Sequence, residues 1–114
     1  MSDCLFCKMI AGDIKADVVY EDDDVYAFKD INPQAPVHVL VIPKQHISTI
    51  NDLQDEHAAL VGKMYLTAKK MAADMGIAEN GFRTTMNCNA DAGQTVFHIH
   101  LHLLGGRSMG WPPG

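Results

Sequence analysis

Basic residues are scarce in this chain. Only nine of its 114 residues are lysine or arginine, against fourteen aspartates and glutamates, which gives a formal net charge of −5. Proteins that bind DNA or RNA through the phosphate backbone carry clustered lysine and arginine on one face. We therefore expect no nucleic-acid partner.

Long apolar runs are absent as well. The longest, from Val37 to Ile42, is interrupted by His38 and is far shorter than the roughly 20 residues that a membrane-spanning helix needs. Residues 1–12 lack the basic, apolar and small-residue regions of a secretion signal. Cysteine is rare and odd in number, three in all, which favours reduced thiols over a disulfide framework. We expect no membrane partner and a cytoplasmic location.

No repeat, low-complexity tract or linker-like stretch divides the sequence. Glycine and proline are scattered at plausible turns and are not pooled in one segment. The length suits one compact unit with its own hydrophobic core. We therefore predict a single domain over residues 1–114.

The alternation and spacing of apolar residues predict helices and strands in a definite order. The first half contains a short helix over 3–11, a hairpin of strands over 18–21 and 25–29, and a buried central strand over 37–42. The second half contains a long helix over 52–75 and strands over 82–87 and 96–104. The core-facing positions of the long helix recur at helical spacing: Leu60, Met64, Ala68, Met71 and Met75. This order predicts an α+β domain with a mostly antiparallel sheet.

Capping residues suggest where the two helices begin. Ser2 or Asp3 can cap the short helix, and Asn51 or Asp52 can cap the long one. His57, early in the long helix, is expected to be an exposed surface residue.

Three histidines alternate with apolar residues near the C-terminus, in the run His98-Ile99-His100-Leu101-His102. Successive side chains of a strand point to opposite faces, so the three imidazoles should share one face. Histidine serves as acid, base, nucleophile or metal ligand near neutral pH. Imidazoles two residues apart lie ~7 Å from each other, and the outer two are about twice as far apart. The pattern therefore favours a chemical site over one metal ion bound by all three rings.

Together with Leu103 and Leu104, this run matches the His-φ-His-φ-His-φ-φ signature of the histidine triad superfamily, where φ is apolar. Within it, the chain resembles the histidine triad nucleotide-binding protein branch over almost its whole length. The other segments that carry this resemblance are Phe28-Lys29-Asp30-Ile31, Pro33-Gln34-Ala35-Pro36, His38 through Pro43, Asn87, Gly93-Gln94-Thr95, Gly105-Gly106-Arg107 and Trp111-Pro112-Pro113-Gly114. The uridylyltransferases of the superfamily fit less well, because they carry Gln for the third histidine.

The resemblance implies a histidine triad fold, with a sheet of about five antiparallel strands, one long helix and one short helix. It also implies a homodimer with two-fold symmetry, in which the two sheets join. The C-terminal segments of such a dimer reach toward the partner's active site. Trp111 is therefore expected to contact substrate bound to the partner chain.

The catalytic residues that the resemblance implies are His100, His102 and His38. His100 attacks the α-phosphorus of a purine nucleoside phosphoramidate, such as adenosine 5'-monophosphoramidate or an AMP-lysine-like conjugate. Water then hydrolyses the nucleotidyl-histidine, and no cofactor is required for catalysis. The leaving amine takes its proton from His102 or from the substrate's own nitrogen. His38 is expected close to this pair.

The resemblance also implies a purine nucleotide site. Asp30 accepts hydrogen bonds from the ribose hydroxyls. The base lies in an apolar slot formed by Phe6, Ile14, Phe28 and Ile31. The phosphate receives hydrogen bonds from His102, the Thr95 hydroxyl, the Asn87 amide and backbone N–H groups near Gly93 and Gln94.

Two thiols stand at i and i+3 in Cys4-Leu5-Phe6-Cys7, on one face of the short helix. A Cys-x-x-Cys pair is either a redox pair or half of a zinc site. Some bacterial members of the superfamily bind zinc with such a pair and two histidines, and those positions resemble His46 and His98. The resemblance implies a structural zinc at these four residues, with two metal-free thiols packed as small apolar groups as the alternative.

Two other functions stay open beside the phosphoramidase. One is a nucleotide-binding regulatory or scaffold protein whose hydrolysis is incidental. The other is a dinucleoside polyphosphate hydrolase, a class in the same superfamily that usually carries other residues after the triad.

Overall fold

A computed structural model of the chain describes residues 3–114. Within these residues there are five strands and three α-helices: α1 (Leu5–Ala11), β1 (Val18–Glu21), β2 (Val25–Lys29), β3 (Val37–Pro43), α2 (Ala58–Asp74), β4 (Phe82–Thr85), α3 (Asn89–Ala92) and β5 (Leu101–Gly105). The strands form one antiparallel sheet in the order β1-β2-β3-β5-β4. The predicted α+β class is confirmed. Among the described helices, none is long and apolar enough to cross a membrane.

β3 lies in the middle of the sheet, as its apolar sequence predicts. Its side chains alternate between two clusters: Val39 and Val41 join the one under α2, and Leu40 and Ile42 join the one under α1. His38, two positions before Leu40, belongs to the α1 side by the same alternation. Both faces of this strand are therefore buried, and its one polar side chain is on the face covered by the short helix.

The main core lies between α2 and the sheet. The predicted apolar stripe of this helix is confirmed, because its members are either buried in this core or packed against it. They meet Ile99, Leu101 and Leu103, each 0% exposed. These three residues occupy the face opposite the histidines with which they alternate.

α1 covers part of the other face through Phe6, which meets Phe28 at 5.4 Å between ring centroids in an edge-on arrangement. The predicted start of this helix at residue 3 is wrong. Its N-cap is Cys4, whose sulfur accepts the N–H of Cys7 at 3.4 Å, so Asp3 is not the cap. Ser2, the other predicted cap, lies outside the described residues.

α2 begins at Ala58, later than the predicted residue 52. Thr49 caps a turn of 3-10 helix instead: its hydroxyl accepts the N–H of Asn51, and its own N–H donates to Asp52. Residues 53–54 then have extended backbone angles, which separate this turn from the helix that follows. Neither Asn51 nor Asp52 caps α2, so that prediction is wrong.

His57 is buried, with 8% of its surface exposed, so the prediction of an exposed residue is wrong. Its Nδ1 accepts the N–H of Gln54 at 2.9 Å, and its Nε2 lies 3.2 Å from the Gln45 side-chain amide. The ring thereby supplies an acceptor to the turn immediately before α2. It acts as a structural residue of this junction.

The predicted strand over 96–104 is shorter in the structure and begins at Leu101. Residues 96–100 leave the sheet, and the N–H of Ile99 donates to the carbonyl of Ile47 at 2.8 Å. β4 ends at Thr85 and not at residue 87. Part of the histidine run therefore lies outside the strand. Of its three histidines, only His102 is in β5.

Candidate active site and metal centre

The register of β3 and β5 brings His38 beside His102. Because Leu40 pairs with His102 and His38 pairs with Leu104, the two imidazoles are diagonal neighbours on one face of the sheet. Nε2 of His38 lies 2.9 Å from Nδ1 of His102. At this distance one ring nitrogen donates a proton and the other accepts it.

His100 is held by the backbone of the residue two positions before it. Its Nδ1 donates to the carbonyl oxygen of His98 at 2.8 Å. Because a carbonyl only accepts, Nδ1 carries the proton and Nε2 of the neutral ring keeps a free lone pair. Burial lowers the pKa of His100, which favours the neutral ring. This ring has the form that a nucleophile needs.

His102 stands next to this ring, with 5.0 Å between the two ring centroids. Burial, and then the neighbouring His100 and His38, lower the pKa of His102 to about 4. His102 is therefore neutral at pH 7 and carries one ring N–H.

Asp30 approaches the same group from the end of β2. Its Oδ2 is 3.4 Å from Nε2 of His38, and its Oδ1 accepts the N–H of Asn32 at 2.8 Å. Asp30 and His38 both line a surface pocket of about 400 Å³. A partly exposed carboxylate at a pocket wall can accept hydrogen bonds from hydroxyl groups of a ligand.

The four residues predicted to form the base slot lie in different environments. Phe6 and Phe28 are buried, each with 3% of its surface exposed, and Ile14 is partly buried. The Phe6 ring lies 5.1 Å from His100 between centroids, so this residue does reach the triad. Ile31 is 96% exposed and packs on little of the protein. The structure brings the two phenylalanines together and leaves Ile31 at the surface.

The backbone N–H groups of Gly93 and Gln94 are already used within the protein. The first donates to Ala90 at 3.0 Å and the second to Asn89 at 3.1 Å, at the C-terminal end of α3. In this conformation neither is free for a phosphate. The predicted phosphate donors that remain include the side chains of Asn87, Thr95 and His102.

Gln94 has a structural task of its own. Its buried amide nitrogen donates to the carbonyls of Ser48 and Val96, at 2.9 and 3.1 Å. These bonds hold the loop that carries Thr95, an exposed residue that lines a pocket of about 520 Å³. Asn87, before this loop, is partly buried.

Trp111 is 83% exposed in the C-terminal segment. The carbonyl of the preceding Gly110 accepts a hydrogen bond from Arg83 at 2.8 Å. The segment is therefore fastened to β4 while its indole ring faces solvent within this chain.

Cys4, Cys7, His46 and His98 form the second cluster. One ligand atom from each lies within 4.8 Å of every other. The separations from sulfur to imidazole Nδ1 are 3.3, 3.4 and 3.6 Å. A tetrahedral zinc at ~2.3 Å from sulfur and ~2.0 Å from nitrogen puts such atoms ~3.5 Å apart. The donor types and their spacing fit a zinc ion.

His98 has the tautomer that this site requires. Its Nε2 donates to the carbonyl of Pro43 at 2.8 Å, so the lone pair of the neutral ring is on Nδ1, the atom that faces the two sulfurs. Metal-binding histidines commonly donate their other N–H to a backbone carbonyl in this way. The ring is fully buried.

Asp30, His38 and His102 also group three metal-type ligand atoms. Two ring nitrogens on a tetrahedral metal would lie ~3.3 Å apart, however, and those of His38 and His102 are 2.9 Å apart. This distance is that of a hydrogen bond. The cluster with the two cysteines can therefore bind a metal ion, whereas His38 and His102 share a hydrogen bond.

Two backbone groups of the site could not be named from the sequence. One is the Pro43 carbonyl, and the other is the N–H of Gln34, which donates to Nδ1 of His38 at 3.0 Å. No side-chain pattern encodes a backbone donor or acceptor. The prolines at 33 and 36 do mark a constrained turn around Gln34, which was the available signal.

Comparison with known proteins places this geometry in a family. Residues 11–109 match the HIT domain. A purine nucleoside phosphoramidase of Escherichia coli strain K12 is 52% identical over 106 residues, which cover 93% of this chain and 89% of that protein. An uncharacterised HIT-like protein of Synechococcus elongatus is 54% identical over 112 residues, covering 98% and 97% of the two chains.

Solved structures show the same likeness. The crystal structure of a HIT family hydrolase from Legionella pneumophila superposes with a TM-score of 0.96 at 55% identity, covering 97% of this chain and 99% of that one. A histidine triad nucleotide-binding protein from Candida albicans gives 0.82 at 32% identity, with 96% and 82% covered. The chain therefore belongs to the HIT family, whose signature is its His98–Leu104 run, and within it to the histidine triad nucleotide-binding branch.

Proposed function

We propose that this protein is a purine nucleoside phosphoramidase, which hydrolyses the P–N bond of a nucleoside 5'-phosphoramidate. The observation that carries the proposal is the hydrogen bond from Nδ1 of His100 to the His98 carbonyl, which leaves Nε2 of His100 as a free nucleophile. The named activity of the Escherichia coli relative supports the choice of bond.

The reaction has two displacements. In the first, Nε2 of His100 bonds to the α-phosphorus, the P–N bond breaks, and the amine leaves. In the second, a water oxygen bonds to the same phosphorus, the bond to His100 breaks, and the mononucleotide is released. The water proton passes to solvent, and His100 returns to its neutral form.

The phosphate charge is met by hydrogen-bond donors. The single N–H of neutral His102, the hydroxyl of Thr95 and the amide of Asn87 are the candidate donors. Asp30 binds the ribose hydroxyls, and Phe6 and Phe28 support the wall near the base. Ile14 and Ile31 belong to the same slot in the resemblance, with Ile31 the one that a bound purine would have to cover.

The test is to trap the covalent intermediate with adenosine 5'-monophosphoramidate and to locate it by mass spectrometry of peptides. We expect an adenylyl adduct on His100. The variant His100→Ala should lose the adduct and orders of magnitude of turnover while still binding AMP. The matched control His102→Ala keeps the nucleophile and should still form the adduct, at a lower rate.

The same experiment separates the alternatives. Unchanged turnover in His100→Ala would contradict this mechanism and favour a nucleotide-binding scaffold whose hydrolysis is incidental. Faster turnover of a dinucleoside polyphosphate than of the phosphoramidate would assign the protein to the polyphosphate hydrolases. An adduct on any other residue would contradict the mechanism.

We further propose a structural zinc at Cys4, Cys7, His46 and His98. The sulfur-to-nitrogen distances and the donor set support this, as does the tautomer of His98. The ion would supply a cross-link between α1 and the triad segment. The chemical step needs only the chain's own side chains.

We also propose that the protein is a homodimer in which β4 pairs with the β4 of a second copy. β4 ends the strand order, so one of its edges is open, and Phe82 on it is 40% exposed. Tyr65 and Leu66 of α2 are exposed by 47% and 65%. In such a dimer Trp111 would reach the partner's substrate.

A further inference from the structure

The backbone N–H of Gln34 fixes the proton of His38. It donates to Nδ1 of that ring at 3.0 Å. A backbone N–H can only donate, so Nδ1 must hold a lone pair and the proton of neutral His38 must be on Nε2. A second ring proton, which would make the imidazolium, would displace this bond.

Nε2 of His38 in turn faces His102. Its closest acceptor is Nδ1 of His102 at 2.9 Å, and Oδ2 of Asp30 lies farther away at 3.4 Å. Since Nε2 of His38 is the donor, Nδ1 of His102 must be the acceptor and cannot hold a proton. The proton of neutral His102 is then on its Nε2.

From this chain of hydrogen bonds, we propose that the Gln34 amide sets the tautomer of His102 through His38, so that His102 presents an N–H donor to the substrate's phosphoryl group. The inference rests on the proposed function for the identity of the acceptor. Gln34 and His38 are positioning residues in this scheme, because neither has to touch the reacting atoms.

The tautomer also decides which group gives a proton to the leaving amine. His102 has one proton, and its Nδ1 already accepts a hydrogen bond. Loss of that proton would leave an imidazolate, so His102 hydrogen-bonds the phosphoryl oxygen and keeps its proton. The substrate nitrogen therefore takes an additional proton from solvent before the P–N bond breaks, so that it leaves as a neutral amine. The atoms and charges of the first displacement balance without a proton from His102.

A surface residue holds the turn at Gln34, where this chain of hydrogen bonds begins. Nε of Arg107 donates to the carbonyl of Gln34 at 3.1 Å, and its Nη1 donates to the carbonyl of Ser108 at 3.0 Å. Arg107 thus connects the segment after β5 to the residue whose N–H meets His38. The chain of hydrogen bonds therefore runs from Arg107 through the Gln34 backbone and His38 to His102.

The first test reads the tautomers directly. In protein labelled with nitrogen-15 in its histidines, long-range proton–nitrogen correlation spectra distinguish a protonated from an unprotonated ring nitrogen. We expect His38 and His102 to carry the proton on Nε2 and His100 to carry it on Nδ1. A proton on Nδ1 of His102 in the wild-type protein would overturn the proposal.

The second test removes the amide alone. Gln34→Pro lacks the N–H, whereas the control Gln34→Ala keeps it and loses the same side-chain bond to Asn32. We expect Gln34→Pro to give mixed tautomers at His102 and to lower kcat/KM about tenfold, the usual effect of one lost hydrogen bond. Gln34→Ala should leave the tautomer unchanged. Equal effects of the two variants would contradict the inference.

If Gln34→Pro does not fold, the same question can be put to His38. The amide of His38→Gln can still donate to Nδ1 of His102, whereas His38→Leu cannot. We expect the glutamine variant to keep the Nε2-protonated form of His102 and the leucine variant to lose it. The spectra are recorded without substrate, so they decide the tautomer even if the protein turns out not to hydrolyse phosphoramidates.

Discussion

The carbonyl oxygen of His98 accepts the Nδ1 proton of His100 at 2.8 Å, while the imidazole of His98 faces the sulfurs of Cys4 and Cys7. One residue therefore contributes its side chain to the metal-type cluster and its backbone to the candidate nucleophile. Anything that displaces His98 changes the hydrogen bond that prepares His100. The two clusters are physically coupled at this residue.

Zinc content is the first prediction. Purified protein should contain about one equivalent of zinc, and Cys7→Ser should lose most of it, because a serine hydroxyl is a poor zinc ligand. The thermal midpoint should fall with the metal. The measurements are elemental analysis and thermal unfolding.

Cys88→Ser provides the control, since this cysteine is outside the cluster. It should keep both the zinc and the thermal midpoint. Wild-type protein with well under half an equivalent of zinc, and no uptake when zinc is added, would refute the site.

Acid should destabilise the fold through His102. Its pKa in the folded protein is about 4, against 6.5 in the unfolded chain. Between these values the unfolded state binds a proton that the folded state does not, so the free energy of unfolding falls as the pH falls from 6.5 toward 4. The groups that face this ring are His100, His38 and Asp30. With allowance for solvent screening, we expect a loss on the order of 2 kcal/mol.

The measurement is urea unfolding at several pH values for the wild type and for His102→Gln. The variant has no titrating ring at this position, so its stability should fall less steeply over the same interval. Parallel curves for the two proteins would show that this ring does not contribute.

Gly105→Ala should destabilise the protein by about 1–3 kcal/mol, as overpacking of a core does. A Cβ at this position of β5 would overlap the Ile77 side chain. The measurement is chemical unfolding, and the double variant with Ile77→Ala should recover part of the loss because it makes room for the new methyl group.

Gly62→Ala is the matched control. Its Cβ would meet nothing within 4 Å, on an exposed face of α2. Alanine is favoured over glycine inside a helix, so this variant should be more stable by up to about 1 kcal/mol. A destabilising effect at both glycines would speak against the contact with Ile77 as the cause.

Leu66→Glu should shift the proposed dimer toward monomer. Leu66 is 65% exposed within the chain, and burying a carboxylate at an interface costs free energy. Light scattering during gel filtration measures the change. Asp17→Lys, a charge change on an exposed residue just before β1 at the sheet edge opposite β4, should leave the dimer intact. A monomeric wild type would contradict the proposed dimer.

The sheet and its covering helix could be predicted because each follows from a short-range pattern. The alternation in β3 and the spacing of apolar residues in α2 determine which side chains reach the core. The same alternation correctly separates Ile99, Leu101 and Leu103 from the histidines, even where the chain has left the sheet. Side-chain direction proved more predictable than backbone pairing.

The errors occur where a long-range or backbone partner decides the outcome. The sequence pattern predicts a strand over residues 96–100, but Ile99 hydrogen-bonds Ile47 and not a neighbouring strand. His57 reads as a surface residue, but its ring accepts the N–H of Gln54. In each case the competing partner is a backbone group, which no pattern of side chains records.

The contact between Cys4 and His98 joins residues that are 94 positions apart. During synthesis at ~5–20 residues per second, α1 therefore leaves the ribosome several seconds before the segment that it covers exists. Before that segment exists, Phe6 can pack only on β2 and β3, through residues such as Phe28. Until His98 is made, the thiols of Cys4 and Cys7 therefore lack the imidazole that they face in the folded protein.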